Sequence, residues 1–209
     1  MEIEVKLRLQ NQETHKTLKT LLNPHHTKTH NQHNHFFDTV SNHLSTHRAV
    51  LRLRLYTNPP PSKPTCILSL KSKPILQNGV SRVQEDEEEI DPDEAQRVLS
   101  DPTRLRTHLG SSRIMTRVKN EYLGGNDDVG QFVCLGGFKN LRNVYEWKDL
   151  VLEVDETSYE FGTLYEVECE SVEPEKAKGL IEGFLKENGV EYEYSVMSKF
   201  AIFRSGKLP

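Results

Sequence analysis

MEIEVKLRL, residues 1–9, alternates strictly between charged and apolar side chains. The apolar positions are Ile3, Val5, Leu7 and Leu9, and the charged positions between them are Glu2, Glu4, Lys6 and Arg8. A period of two places these sets on opposite faces of a β-strand. A helix would instead scatter the apolar residues and leave Glu2 and Lys6 as an ordinary surface pair. We therefore predict a strand with one fully charged face.

Strand patterns recur along most of the chain. They cover residues 50–55, 67–73, 80–90, 114–121, 131–135, 141–147, 150–155 and 164–170. The stretches 58–64 and 124–128, rich in proline and in glycine with aspartate, predict loops. The glycine pair at 136–137 lacks the rest of a phosphate-binding loop and predicts a bend in a strand.

Two segments carry helix signals. In 91–109, Asp91 can cap a helix that Pro92 opens. In 173–188, Pro174 precedes an apolar stripe at helical spacing. We expect both helices to pack outside the strands.

The charges on the later strands are sorted by sign. The basic positions are Arg52, Arg54, Lys71 and Lys73, and the acidic positions are Glu153, Asp155, Glu166, Glu168 and Glu170. Open sheets would expose these charged faces to water, whereas a closed antiparallel barrel would turn them inward. Buried charges must be paired or bind ions. Carboxylates suit Mg²⁺ or Mn²⁺, and Arg and Lys suit phosphate oxygens, so a barrel predicts a site for a metal-bound polyphosphate.

Composition restricts the class of protein. The 209 residues fit one large domain, and the net charge of -4 with a pI near 6.2 argues against a general nucleic-acid surface. The three cysteines lack metal-site spacing, and no apolar stretch approaches the roughly 20 residues of a membrane span. We expect a cytoplasmic monomer that binds a small-molecule triphosphate, with no nucleic-acid or membrane partner.

An ordered set of motifs resembles the CYTH superfamily, also called triphosphate tunnel metalloenzymes. The motifs are ExExK at 2–6, RLR at 52–54, SLK at 69–71 and EVE at 166–168. The length and C-terminal tail look similar to the small plant members that hydrolyse tripolyphosphate. The resemblance implies an α+β fold, an eight-stranded antiparallel β-barrel with helices outside and a short C-terminal plug helix. It implies a domain at 1–203 and a tail at 204–209.

The resemblance also implies roles for individual residues. The expected metal ligands, for two Mg²⁺ or Mn²⁺ ions, are Glu2, Glu4, Asp155, Glu166, Glu168 and Glu170. The expected phosphate ligands are Lys6, Arg8, Arg52, Arg54, Lys71 or Lys73, Arg82, Arg142 and Lys199. The expected catalytic groups are Glu2, Glu4, Lys6 and Lys199, and either lysine could organise the attacking water or the leaving phosphate.

Two polar clusters receive plainer predictions. Strand parity places Asp86 and Glu88 with Arg82, and Glu85, Glu87 and Glu89 on the other face. Because a bulge would reverse this assignment, we expect the acids of 85–89 to be mostly solvated. The histidines of 25–47 lack accompanying ligands at zinc spacing. They predict a solvated loop with one or two phosphate-facing histidines rather than a zinc site.

Three functions remain open from the sequence. A tripolyphosphatase is the leading hypothesis. A hydrolase of thiamine triphosphate or a nucleotide would use the same barrel. A non-catalytic polyphosphate or nucleotide sensor would need only the basic residues.

Overall fold

The computed structural model describes residues 1–57, 64–124 and 131–209. The two expected loops therefore lie, apart from Pro64 and Gly124, outside the described residues. The strands are β1 Glu2–Leu9, β2 His26–Thr39, β3 Ala49–Tyr56, β4 Thr65–Gln77, β5 Val80–Ile90, β6 Phe132–Trp147, β7 Leu150–Tyr159, β8 Gly162–Glu170 and β9 Tyr192–Tyr194. The helices are α1 Gln12–Leu22, α2 His43–Thr46, α3 Pro92–Ser100, α4 Leu105–His108, α5 Arg113–Tyr122, α6 Pro174–Glu187 and α7 Lys199–Ser205.

The strands hydrogen-bond in the order β5-β4-β3-β2-β6-β7-β8-β1-β9. An additional pairing of β5 with β1 closes the sheet, and the backbone N–H of Lys6 donates to the Gly79 carbonyl over 2.7 Å. Strands β1–β8 therefore form a closed antiparallel barrel, and β9 adds to β1. The prediction of an eight-stranded α+β barrel is confirmed.

The chain divides into two compact units. Unit 1 comprises residues 1–31, 75–82 and 138–209, and unit 2 comprises residues 32–74 and 83–137. In unit 1 the apolar face of β1, with Val5 and Leu7 fully buried, packs against α1 and α6. Asn11 caps α1 by accepting backbone N–H groups, and Pro174 opens α6.

In unit 2 the apolar faces of β3 and β4 pack against helices α2 to α5. The core includes Leu51, Leu53 and Leu68 from the strands and Val98 and Val118 from the helices. With the apolar faces covered by helices, the alternating charged positions of the same strands occupy the opposite face of the sheet.

Three sequence predictions of secondary structure are wrong. Residues 114–121 form helix α5 rather than a strand, because Ser112 caps it and its buried residues recur at helical spacing. The predicted helix 91–109 breaks after Ser100, since Pro102 disfavours a helical residue before it. Strand β6 is continuous where two strands, 131–135 and 141–147, were predicted.

The histidine-rich region is also not a loop. It forms most of β2, which pairs with β3 along a register that includes His35 opposite Leu53 and Phe37 opposite Leu51. His35 therefore shares the core face with Phe37, whereas Asn34 lies beside Arg54 on the charged face. The prediction of phosphate-facing histidines is wrong for His33 and His35, because parity turns them toward the core face.

Gly137 marks a close approach of β6 to β2. A Cβ at this position would lie 1.7 Å from the Asn34 carbonyl oxygen, which is backbone and cannot move aside alone. Gly137 thus permits the close approach of the two strands, and the bend expected at 136–137 stays a prediction.

We expect Gly137→Ala to lower the free energy of unfolding by more than about 3 kcal/mol, because a backbone clash must displace one strand. Gly179→Ala is the matched control. Gly179 is exposed within α6 with no atom near its added Cβ, so alanine should stabilise by about 0.5–1 kcal/mol. Urea denaturation of both variants measures the difference. Equal effects of the two substitutions would contradict the packing described here.

Candidate active site

The strand register of unit 1 aligns charged residues in two rows. One row runs through Glu153, Glu168 and Lys6 on β7, β8 and β1. The other row runs through Arg142, Asp155, Glu166 and Arg8 on β6, β7, β8 and β1. Directly opposed residues on one face of a sheet bring their side chains into contact. The charged residues of separate sequence motifs therefore meet in a single ionic cluster.

Glu168 is the centre of this cluster. One of its oxygens accepts hydrogen bonds from the ammonium groups of Lys6 and Lys199. The other accepts from Nη2 of Arg142 over 2.6 Å. Lys6 also lies 3.3 Å from Glu4, so β1 contributes both an anion and a cation.

Arg142 clamps the acids of β7. Its Nε and Nη2 donate to the two oxygens of Asp155 over 2.8 and 2.6 Å, and its Nη1 donates to Glu153. Such a bidentate pair fixes the planes of both groups. The sequence placed Arg142 among phosphate ligands; in this structure its donors are occupied by carboxylates.

Lys199 enters the cluster from α7. Ser198 caps this short helix, and the Lys199 ammonium lies 2.9 Å from Asp155 and 3.0 Å from Glu166. The Tyr159 hydroxyl donates to the Lys199 carbonyl over 3.3 Å. The C-terminal helix expected from the sequence is present, and it brings its first residue to the carboxylates.

Sequence analysis missed Ser195 as a member of the cluster. Its buried hydroxyl donates to Glu166 over 2.6 Å. Ser195 follows β9, and its backbone N–H bonds to the Lys6 carbonyl. No local motif marks this residue, because its position depends on a long-range pairing.

Within the cluster, neighbouring opposite charges favour the ionised side chains more strongly than burial disfavours them. Burial would raise the pKa of Asp155, but Arg142 and Lys199 lower it to about 2. Burial likewise opposes ionisation of Glu168, but Lys199, Lys6 and Arg142 hold its pKa well below the ordinary value. Burial opposes the charges of Lys6 and Lys199, yet the neighbouring carboxylates raise the pKa of each lysine above its ordinary value. Asp155, Glu168 and both lysines are therefore charged at neutral pH.

Negative charge exceeds positive charge among the interacting groups. Five carboxylates take part, Glu4, Glu153, Asp155, Glu166 and Glu168, together with three cations, Lys6, Arg142 and Lys199. Hard carboxylate oxygens are the ligands that Mg²⁺ and Mn²⁺ prefer. No group of three carboxylate, imidazole or thiol side chains in the described part of the chain is already arranged around one metal position. The donor chemistry fits a divalent cation, while lysine and arginine now hold the oxygens.

The remaining sequence-predicted residues of unit 1 occupy varied positions. Glu2 is half-buried at the start of β1, and Glu170 is exposed at the end of β8. Arg82 is half-buried on β5. The Arg8 guanidinium has buried Nε and Nη2 atoms that find no hydrogen-bond partner among the described residues. Two guanidinium nitrogens without an acceptor make Arg8 a candidate for binding an anion.

Unit 2 carries the basic residues of β3 and β4. Arg54 Nε donates to the Asn34 side chain over 3.0 Å, and Arg54 lies over the Tyr56 ring. Arg52 Nη2 donates to Glu85 and Glu87 over 3.2 and 3.0 Å. Lys71 Nζ lies 2.9 Å from Glu85.

These contacts correct the prediction for the acidic run 85–89. Glu85 and Glu87 share the charged face with Arg52, whereas Asp86 and Glu88 bind the N-terminal region of α5. Arg117 of α5 lies 2.9 Å from Asp86. The prediction of mostly solvated acids is therefore wrong for Glu85, whose side chain is only 13% exposed.

Lys71 and Lys73 do not share one face. Lys73 has a φ of 52°, and its side chain is exposed. Its charge contributes to lowering the pKa of Glu121 on α5, although hydrogen bonds from Arg117 are the main cause. The left-handed backbone ends the alternation after Lys71, so the structure favours Lys71 as the phosphate-ligand candidate.

Residues 1–200 match the CYTH domain family. The chain belongs to the CYTH family. The resemblance seen in the sequence motifs is confirmed, and the acidic cluster contains the ExExK residues Glu4 and Lys6. No curated protein sequence matches the chain.

Solved structures extend the CYTH comparison. A Hippeastrum protein, described as an adenylyl cyclase candidate with a dominant triphosphatase activity, is 55% identical, and the match covers 100% of this chain and 98% of that chain with a TM-score of 0.94. A Bacillus halodurans adenylate cyclase candidate is 24% identical over 98% of this chain and 96% of its own, with a TM-score of 0.72. A Pyrococcus horikoshii protein is 19% identical over 97% and 98%, with a TM-score of 0.63. The last two comparisons show a shared fold.

Helices long and apolar enough to cross a membrane do not occur in the described ranges.

We expect Arg142→Met to lower the free energy of unfolding at pH 7 by about 3–5 kcal/mol, because removing one partner leaves buried carboxylates uncompensated. Because the pKa of Asp155 is lowered from 3.8 to about 2, its ionised form stabilises the folded wild type at pH values above 3.8. This stabilisation is lost as the pH falls through about 2. In the variant the pKa of Asp155 should no longer be lowered to this extent. Its free energy of unfolding should therefore rise less between pH 2 and pH 5 than that of the wild type.

Arg113→Met provides the control for Arg142→Met. Arg113 pairs with Asp86 but its side chain is 57% exposed, so its loss should cost less than about 1 kcal/mol. Urea titrations at several pH values compare the two. A loss at Arg142 no larger than at Arg113 would contradict the buried network.

Proposed function

We propose that this chain hydrolyses inorganic tripolyphosphate to pyrophosphate and phosphate with the help of Mg²⁺ or Mn²⁺. The observation that carries the proposal is the buried cluster of unit 1, in which carboxylates outnumber the cations that contact them. Triphosphate hydrolysis in the CYTH family generally depends on a divalent metal. The triphosphatase activity described for the 55% identical Hippeastrum protein supports the same reaction.

We assign the metal-ligand role to the buried carboxylates of the cluster. Asp155, Glu166 and Glu168 are each nearly inaccessible to solvent, and Glu4 approaches them through Lys6. Glu2 and Glu170 remain candidate ligands from the strand ends. When bound, the metal supplies Lewis-acid charge that stabilises phosphoryl oxygens.

The cations of the chain have a consistent electrostatic role. Neighbouring carboxylates raise the pKa of Lys6 and of Lys199, so both ammonium groups can donate hydrogen bonds to phosphoryl oxygens. Arg8, Arg52, Arg54 and Lys71 provide donors for phosphoryl oxygens. In the reaction, water forms a bond to a terminal phosphorus while the bridging P–O bond breaks. Pyrophosphate leaves with the electron pair, and the proton that the water loses passes to the pyrophosphate or to solvent.

The acidic cluster also favours an enzyme over a protein that only binds polyphosphate. An anion sensor needs only cationic donors, whereas the excess of buried carboxylate in unit 1 contributes nothing to binding an anion unless a metal is present. Hydrolysis of an organic triphosphate would use the same charged groups. The comparison of substrates below distinguishes these functions.

We expect phosphate release from tripolyphosphate with Mg²⁺ or Mn²⁺, little release in EDTA, and slower release from ATP and thiamine triphosphate. Glu4→Gln and Lys6→Ala should each reduce kcat/KM by about a hundredfold or more, comparable to loss of a transition-state charge partner. Initial-rate phosphate assays make the measurement.

Glu156→Gln is the control for these substitutions. Glu156 lies on β7 beside Asp155, but alternation turns it away from the cluster and places it opposite Tyr165. It should retain wild-type rates. Tight tripolyphosphate binding without turnover would replace the enzyme assignment with a sensor, and faster ATP hydrolysis would replace the inorganic substrate with an organic one.

A further inference from the structure

Ser69 has an unusual environment on strand β4. Its side chain is fully buried, and its hydroxyl oxygen has no hydrogen-bond partner among residues 1–57, 64–124 and 131–209. Leu68 and Leu70, its neighbours in the chain, point into the apolar core. Alternation therefore turns Ser69 toward the charged face of unit 2.

Arg52 lies directly opposite Ser69 in the β3–β4 register. Its Nη2 is held by Glu85 and Glu87, but its buried Nε finds no hydrogen-bond partner in the described part of the chain. Directly opposed side chains on one sheet face lie about 4.5–5.5 Å apart at Cβ. Two buried donors on directly paired residues of one sheet face thus lack an acceptor among the described residues.

The local charge balance calls for an acceptor that is also an anion. Three cations, Arg52, Arg54 and Lys71, share this face. Glu85 contacts Arg52 and Lys71, and Glu87 contacts Arg52, whereas Arg54 donates to Asn34 and Tyr56. Burial and the nearby Arg54 lower the pKa of Arg52 to about 10 despite both acids. A phosphoryl oxygen accepts several hydrogen bonds and carries negative charge, so it satisfies both requirements.

We propose that the Ser69 hydroxyl is a phosphate-binding group that donates to a phosphoryl oxygen beside Arg52 Nε. The proposal rests on the proposed triphosphatase function and adds a neutral donor to its basic residues. Ser69 is a ligand for substrate and not a structural hydroxyl. An ordered water is the alternative acceptor.

The two roles predict opposite effects of Ser69→Ala. A ligand-binding hydroxyl that is unsatisfied in the free protein destabilises it, so alanine should leave the melting temperature unchanged or raise it. The same substitution should raise the KM for tripolyphosphate about five- to twentyfold, corresponding to a lost hydrogen bond to a charged acceptor. A structural hydroxyl would show the reverse, a lower melting temperature and an unchanged KM.

The experiment measures melting temperature with and without inorganic tripolyphosphate in EDTA, and KM and kcat with Mg²⁺. Ser72→Ala is the matched control. Ser72 is buried on the same strand, but it lies on the other face and its hydroxyl lies 3.4 Å from Gln84 Oε1. It should keep the wild-type KM.

The outcomes separate this inference from the proposed function. A raised KM and a smaller ligand-induced rise in melting temperature for Ser69→Ala, with Ser72→Ala unchanged, support it. Normal turnover and an unchanged KM in Ser69→Ala overturn the Ser69 assignment and leave the triphosphatase intact. A wild type that neither binds nor hydrolyses tripolyphosphate overturns both.

Discussion

The ion pairs of three cations with Glu168 are the interaction on which unit 1 depends. Lys6 from β1, Arg142 from β6 and Lys199 from α7 meet on this one carboxylate. Lys6 is buried, and the side chains of Arg142 and Lys199 are only 12% and 13% exposed, so each charge would be costly to leave uncompensated. The register of β1, β7 and β8 is therefore constrained by electrostatics on one face and by apolar packing on the other. A shift of one residue would bury charges in the helix-covered core.

This dual constraint explains which parts of the fold the sequence predicted. Alternation in 1–9, 150–155 and 164–170 identified both the strands and the residues of the cluster. The same rule wrongly predicted a strand at 114–121, which forms helix α5. The polar face of this helix contacts Asp86. It also missed β2, whose core face carries histidines in place of aliphatic side chains.

The candidate site was predictable where a role follows from charge, and less so where it follows from tertiary contact. Glu166 and Glu168 could be named because they alternate on one strand. Ser195 reaches Glu166 through pairing near β9, and Lys73 leaves the charged face through a positive φ. Neither event has a local sequence signal. The basic Arg52 was found, but its contacts with Glu85 and Glu87 required the correct face of β5.

We propose that the carboxylates of unit 1 that contact lysine and arginine in this structure bind a divalent cation. Equilibrium binding of Mn²⁺, followed by the paramagnetic resonance signal of the free ion, tests this claim most directly. Saturable binding by the wild type that is greatly weakened in Glu166→Gln and retained in Glu156→Gln is the predicted result. Absence of Mn²⁺ binding, or binding that Glu166→Gln leaves unchanged, would contradict it.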